Sequence, residues 1–203
     1  LAYGSEWYLD KTHFHSERHF EDFVDKIKND IEDSSEEFIV KHFINHPNEE
    51  PESWKALEII TLNTLSKLYD NLKPQLPQKS KIANEFGLNS SKDLSSWLRT
   101  ITFIRNLIAH HSRLWNRVMI NKYSWPTNTR EPLLSYYPNE ERRKKIFPII
   151  AAIIYINDRI SPGNSLKQEL FDLFTEFPNT PIYKMGFPPK WKEEPIFKYK
   201  STL

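Results

Sequence analysis

Arg105-Asn106-Leu107-Ile108-Ala109-His110-His111-Ser112-Arg113-Leu114-Trp115-Asn116-Arg117 is the stretch on which the reading of this chain turns. It continues a helical pattern that opens at Ser90 or Ser91 and passes through Trp97, Ile101 and Ile104. The spacing predicts one long helix ending near Val118. With Arg105 at zero and about 100° per residue, Trp97, Ile104, Leu107, Ile108, Leu114, Trp115 and Val118 fall between about 180° and 300°, the expected buried face. His111 falls in the middle of that face and reads as a hydrogen-bonded core residue. Arg99, Asn106, His110, Arg113 and Arg117 fall together at about 80° to 140°, and Arg105, Ser112 and Asn116 lie on the adjoining polar flank. The two neighbouring histidines are therefore expected to do different work.

The polar set suits one reaction. RNA cleaves itself when a 2′-OH attacks the adjacent phosphate, which needs a base, an acid and stabilisation of the growing charge. Histidine titrates near neutrality and can take or give the proton. Arginine offers fixed donors to phosphate oxygens. These roles fall to His110 as base or acid, Arg105 as phosphate clamp and Asn106 as orienter, with no metal or cofactor required. Arg113, Arg117, Asn116 and Arg99 are candidates for guiding RNA. Arg113 and Arg117 also read as a solvated face or as partners of acidic residues, and Arg105 as the closing half of a buried salt bridge. A lone helical histidine is ordinarily a surface residue; the neighbouring arginines and Asn106 put function ahead for His110.

Working outward, helical periodicity dominates. Phe20, Phe23, Val24, Ile27 and Ile31 repeat at helical spacing. Ser34 with Glu37 has the form of a capping box opening a helix through Phe38, Ile39, Phe43 and Ile44. Pro47 and Pro51 interrupt it. Pro51 then stands early in one helix with Trp54, Leu57, Ile60, Leu65 and Leu68 on its apolar side, closed by Pro74 and Pro77. A short helix spans Lys79 to Phe86, with Gly87 just past its end. Beyond the central helix, Asn139 caps a helix to Ile160, kinked at Pro148. The last helix covers Ser165 to Phe177. Prolines at 178, 181, 188, 189 and 195 then predict a tail without regular structure. Its Tyr183, Phe187, Trp191, Phe197 and Tyr199 pack it on the body as an extended strap. The expected fold is all-α, an antiparallel helical bundle over residues 1–177 followed by a tail over 178–203.

Composition sets the bounds. Lys and Arg number 28 and Asp and Glu 27, a net charge of +1, so no global field draws in nucleic acid and any such site must come from local clustering. Cysteine is absent, which removes disulfides and thiolate metal sites and suits a cytoplasmic protein. The start of the chain lacks the pattern of a signal peptide. The longest apolar run, Ile146 to Ile156, is too short to span a bilayer, so no membrane partner is expected. The chain begins without methionine, as a fragment or processed product does. His15 with His19 and His42 with His46 are four apart, but neither pair has the carboxylate of a zinc-protease motif, and both read as surface histidines. Arg142-Arg143-Lys144-Lys145 follows Glu140-Glu141 and reads as a solvated helix face. Phosphate-loop, dinucleotide and serine-hydrolase motifs are absent.

The full string R-N-L-I-A-H-H-S-R-L-W-N-R resembles the signature of the Abi-like family of bacterial abortive-infection proteins, of the AbiD/AbiF type. Pro51-Glu52-Ser53-Trp54-Lys55-Ala56-Leu57-Glu58 is similar to that family's P-x-x-W-x-A-x-E segment, and Leu65 to Tyr69 to the helix after it. Ile82 to Leu88 and Trp97-Leu98 fit the lead-in, and Met185 to Trp191 resembles the C-terminal G-F-P-x-x-W. The resemblance implies membership of the HEPN superfamily of helical ribonucleases, whose arginine-to-histidine motif falls here on Arg105, Asn106 and His110. It implies a toxin or effector of phage defence whose metal-independent cleavage leaves a 2′,3′-cyclic phosphate. Two motifs must face each other, so it also implies a homodimer, and further helices ahead of residue 1 that complete the bundle. The alternative is a non-catalytic helical module that binds an antitoxin protein or a structured RNA through the same polar face.

Overall fold

The computed structural model describes residues 3–119 and 124–198. Among the described residues the chain is all-α: ten α-helices, four short 3-10 turns, two isolated bridges and no strand. None of those helices is long and apolar enough to cross a membrane. The chain divides into two units, Leu1–Lys79 and Ser80–Leu203.

In the first unit, Ser16 accepts a hydrogen bond from His19 N (3.4 Å) and opens α1, Glu17–Glu32, whose apolar stripe buries Phe23, Ile27 and Ile31. The expected capping box does not form. Ser34 Oγ accepts from the nearer Glu36 N (3.3 Å), and α2, Glu37–Asn45, starts without a side-chain cap. The helix expected from Pro51 through Leu68 is two helices, α3 (Ser53–Glu58) and α4 (Leu62–Asn71). Thr61 makes the break by taking an extended backbone and capping Thr64 N at 3.2 Å. The break changes the phase of the apolar stripe, so Trp54 and Leu65 are exposed while Ala56, Leu68 and Tyr69 are buried.

Helix α4 packs along α1. Asn71 fastens the end of one to the start of the other, accepting from Ser16 N (3.0 Å) and donating to Ser16 O (3.1 Å). Lys79 is buried, and its ammonium donates to the carbonyls of Asp70 (2.9 Å) and Leu72 (2.6 Å) at the C-terminal end of α4, where the helix dipole favours a cation. Burial pulls its pKa below the ordinary lysine value, and Asp70 pulls the other way. His42 is a core residue rather than a surface one. Its Nε2 pairs with Glu49 O at 3.0 Å and its Nδ1 with Lys55 Nζ at 3.2 Å.

Helix α5, Pro77–Glu85, starts on Pro77, whose missing N–H costs nothing there. Gly87 closes it in the left-handed region (φ +71), with Leu88 N donating to Ala83 O and Gly87 N to Asn84 O, both at 2.9 Å. A Cβ at Gly87 would run into the Tyr155 hydroxyl and the Arg159 guanidinium.

The second unit is organised on α6, Ser91–Ala109, and α8, Ile146–Ile160. Fully buried Trp97 of α6 meets Tyr155 of α8 edge-on at 6.0 Å and donates from its indole N–H to Ser124 O at 2.9 Å. Asn139 caps as expected, accepting from Arg142 N at 2.9 Å, but the helix it opens is the short α7, Glu140–Arg143. The chain turns at Lys144 and Lys145 and restarts as α8. Pro148 therefore stands in a first turn, where no N–H is needed, instead of kinking a longer helix. Asn164 Oδ1 accepts from Leu166 N (3.1 Å) ahead of α9, Leu166–Glu176.

The tail is not devoid of regular structure. Its prolines alternate with 3-10 turns at Ile182–Met185 and Trp191–Glu193, and Pro195 begins α10, Pro195–Lys198. Trp191 is the hub, with ring centroids of Phe171, Phe174, Phe187 and Phe197 at 5.0–5.7 Å. Tyr183 is exposed, and Tyr199 lies outside the described residues.

Gly87→Ala is expected to destabilise the chain by more than about 1 kcal/mol, because it adds left-handed strain to a collision with Tyr155. Thermal unfolding followed by circular dichroism reads this directly. An unchanged midpoint would contradict the packing described for α5 and α8.

Candidate functional site

Helix α6 stops at Ala109, short of the expected end near Val118. His110 is its last cap (φ −91, ψ 18), and His111 turns into the left-handed region at φ +52. His111 N then donates to Ile108 O and Ser112 N to Leu107 O, both at 2.9 Å. This is the paired closure of a helix C-terminus that glycine ordinarily makes, and histidine is among the residues enriched in that region.

The early stop removes everything past His110 from the helical wheel. His111, expected in the core, is exposed. Ile108, Trp115 and Val118, expected on the buried face, are exposed by 56%, 38% and 53%. Leu107 and Leu114 are half-buried, and of the expected stripe Trp97 and Ile104 are fully in the core. Trp115 and Val118 leave that face because the backbone changes direction twice after Ala109, whereas Ile108 is exposed within α6 itself.

The second change is at Asn116, also left-handed at φ +50, in a turn closed by Arg117 N donating to Leu114 O at 3.2 Å. The turn folds Arg117 back so that its Nη1 donates to Arg113 O at 3.4 Å. The RNA-guiding candidates Arg113, Asn116 and Arg117 therefore form a hook after the helix instead of a stripe along it. Arg99 remains on α6 and is exposed.

Arg105 and Asn106 occupy the last turn of α6, and His110 follows one turn later, its N–H donating to Asn106 O at 3.0 Å. Arg105 and His110 are exposed and Asn106 is half-buried. Arg105 Nη1 donates to Asn106 Oδ1 at 3.3 Å, so Arg105 is not the closing half of a buried salt bridge. The Asn106 carbonyl steadies the guanidinium, and its amide N–H groups remain chemically able to orient a phosphate oxygen or an imidazole. Among the described residues no carboxylate pairs with Arg105, Arg113 or Arg117. No group of three or more His, Asp or Glu among the described residues is arranged to hold a metal ion.

The sequence also carries a local charge signal. Between Asp93 and Glu131 there is no acidic residue, while Arg99, Arg105, Arg113, Arg117, Lys122 and Arg130 are all cationic. A chain of net charge +1 thus concentrates positive charge on the helix that carries the motif and on the segment after it.

The model of the family described as Abi-like protein matches residues 1–116, which takes in α1 to α6, both histidines and the arginine hook as far as Asn116. No curated protein and no solved structure matches the chain.

The role of His111 is open to a direct measurement. Glycine enters the left-handed region freely, so His111→Gly is expected to stabilise the full chain by about 1 kcal/mol, whereas His111→Val destabilises it. Urea unfolding reads both. A large loss of stability in His111→Gly would instead restore the histidine to the core.

Proposed function

The chain belongs to the Abi-like protein family, a family of bacterial abortive infection and so of phage defence in general, and from that premise we propose that it is an RNA-cleaving effector. The observation that carries the reading is the set of exposed Arg105 and His110 with half-buried Asn106 on the closing turn of α6, within a cationic, carboxylate-free segment.

Cleavage proceeds by attack of the RNA 2′-oxygen on the adjacent phosphorus. The 2′-OH proton goes to a base, the bond from phosphorus to the 5′-oxygen breaks, and that oxygen receives a proton from an acid. The products are a 2′,3′-cyclic phosphate and a 5′-OH. The nucleophile belongs to the substrate, so the protein supplies proton transfer and charge stabilisation alone. His110 is one of the two proton carriers. Arg105 binds the non-bridging oxygens as charge accumulates, and Asn106 holds Arg105 in place. Arg113, Asn116, Arg117 and Arg99 guide the flanking backbone by neutralising phosphates.

One histidine of this kind per chain supports a homodimer, in which a second copy brings the other proton carrier. The exposed Ile108, Trp115 and Val118 beside the motif support a covered face there. The same three side chains favour a second reading, a non-catalytic module whose polar face and apolar border receive an antitoxin protein or a structured RNA without turnover. RNA bound with no product separates that module from the enzyme.

His110→Ala is expected to lower RNA cleavage about a hundredfold or more, and to remove toxicity in cells, with an unchanged circular dichroism spectrum. Cleavage at the original rate by His110→Ala would remove the assignment.

A further inference from the structure

Residues 124–137 follow the candidate site and fold around a cavity of about 410 Å³ that the cleavage reading does not use. Its walls include Trp125, Asn128, Ser135, Tyr136 and Tyr137, and no Asp or Glu lines it. The volume falls in the range of small-molecule sites, roughly 300–1,000 Å³.

The loop is held in place from several directions within the second unit. Ser124 N donates to Ser96 Oγ at 2.7 Å and Arg130 N to Gly87 O at 2.9 Å. The buried Glu194 carboxylate accepts from Ser135 N at 2.6 Å, and Ile196 N donates to Leu133 O at 3.0 Å, so the tail braces the far wall. Tyr137 OH donates to Trp125 O at 3.2 Å. Glu131 is thus paired with Arg159 and Glu194 with the loop's own backbone, and neither side chain lines the cavity.

The basic run of α7 adds the rest. Arg142 lies over the Tyr136 ring at 4.8 Å and Arg143 over Tyr137 at 5.8 Å, so the run is more than a solvated helix face. Arg142 and the Tyr137 ring remain exposed. Met119 N donates to Lys144 O at 2.8 Å, which ties the end of α7 to the segment leaving the Arg113–Arg117 hook. The arginines of α7 therefore extend the cationic surface of the candidate site toward the cavity.

We propose that this cavity is a nucleobase subsite, taking one unpaired base of single-stranded RNA. The Tyr137 ring, the Asn128 amide and the Arg142 guanidinium match the three needs of such a ligand: a stacking surface, a base-edge partner and a phosphate contact. The choice of RNA as ligand rests on the cleavage reading above.

The test uses the full chain carrying His110→Ala, so that bound RNA stays intact, with labelled oligoadenylate and an abasic oligomer of equal length followed by fluorescence anisotropy. Oligoadenylate is expected to bind about tenfold or more tightly than the abasic oligomer. Tyr137→Ala and Asn128→Ala each reduce that preference, and Arg142→Gln weakens both oligomers and flattens the salt dependence. Asn128 and Arg142 are exposed, so their variants keep the result readable if Tyr137→Ala fails to fold. Equal affinity for the two oligomers, an unchanged preference in Asn128→Ala, or tighter capture of a proline-rich peptide than of RNA would each overturn the subsite. Cleavage by the chain with its native His110 is measured separately. Retained cleavage without base preference sinks the subsite and leaves the cleavage reading standing.

Discussion

The candidate site depends on one backbone event, the left-handed turn at His111 that closes α6 through the Leu107 and Ile108 carbonyls. A helix leaves its last carbonyls without partners, and something must satisfy them. Here the chain satisfies them itself, at the cost of placing a side chain where glycine is easier. Had the helix run on to Val118, Arg113 and Arg117 would be strung along one cylinder. Because it stops, Arg105, Asn106 and His110 stand at an exposed terminus, and the arginines after it fold into a hook.

That terminus is supported by a scaffold further back. Trp97 anchors the middle of α6 against Tyr155 and Ser124, and Tyr155 donates in turn to the Gly87 carbonyl at 3.0 Å. One buried aromatic pair thus relates the end of α5, the body of α6, the length of α8 and the start of the loop after the site. The tail contributes through Glu194 and Ile196, which hold residues 133–135. Stability and the proposed function share this part of the chain but not the same residues. The anchoring side chains are buried and apolar or fully hydrogen-bonded, while Arg105, His110 and Arg113 face solvent.

Much of this was legible in the sequence, for identifiable reasons. The all-α class follows from helical spacing, and Asn139 and Gly87 lie where local capping chemistry places them. The Phe23, Ile27 and Ile31 stripe is buried because α1 is straight and single. What was illegible is where one helix becomes two. Thr61 and the Lys144–Lys145 turn carry neither glycine nor proline, and His111 fills a position where glycine would have announced the end. Each such boundary alters which side chains are buried beyond it, which is why Leu65, Trp115 and Val118 are exposed. The burial of His42 is illegible for the opposite reason, since its partners Glu49 and Lys55 become neighbours only through the fold. The cationic, carboxylate-free run from Arg99 to Arg130 was present in the sequence throughout and needed only a local charge count.

The chemistry of the RNA ends is the most direct test of the central claim. The purified protein is incubated with labelled RNA in EDTA, and the products are resolved by mass spectrometry. Cleavage by 2′-oxygen attack under the control of His110 predicts fragments ending in a 2′,3′-cyclic phosphate paired with fragments beginning in a 5′-OH. Fragments bearing a 5′-phosphate and a 3′-OH, or cleavage that disappears with EDTA, would contradict it.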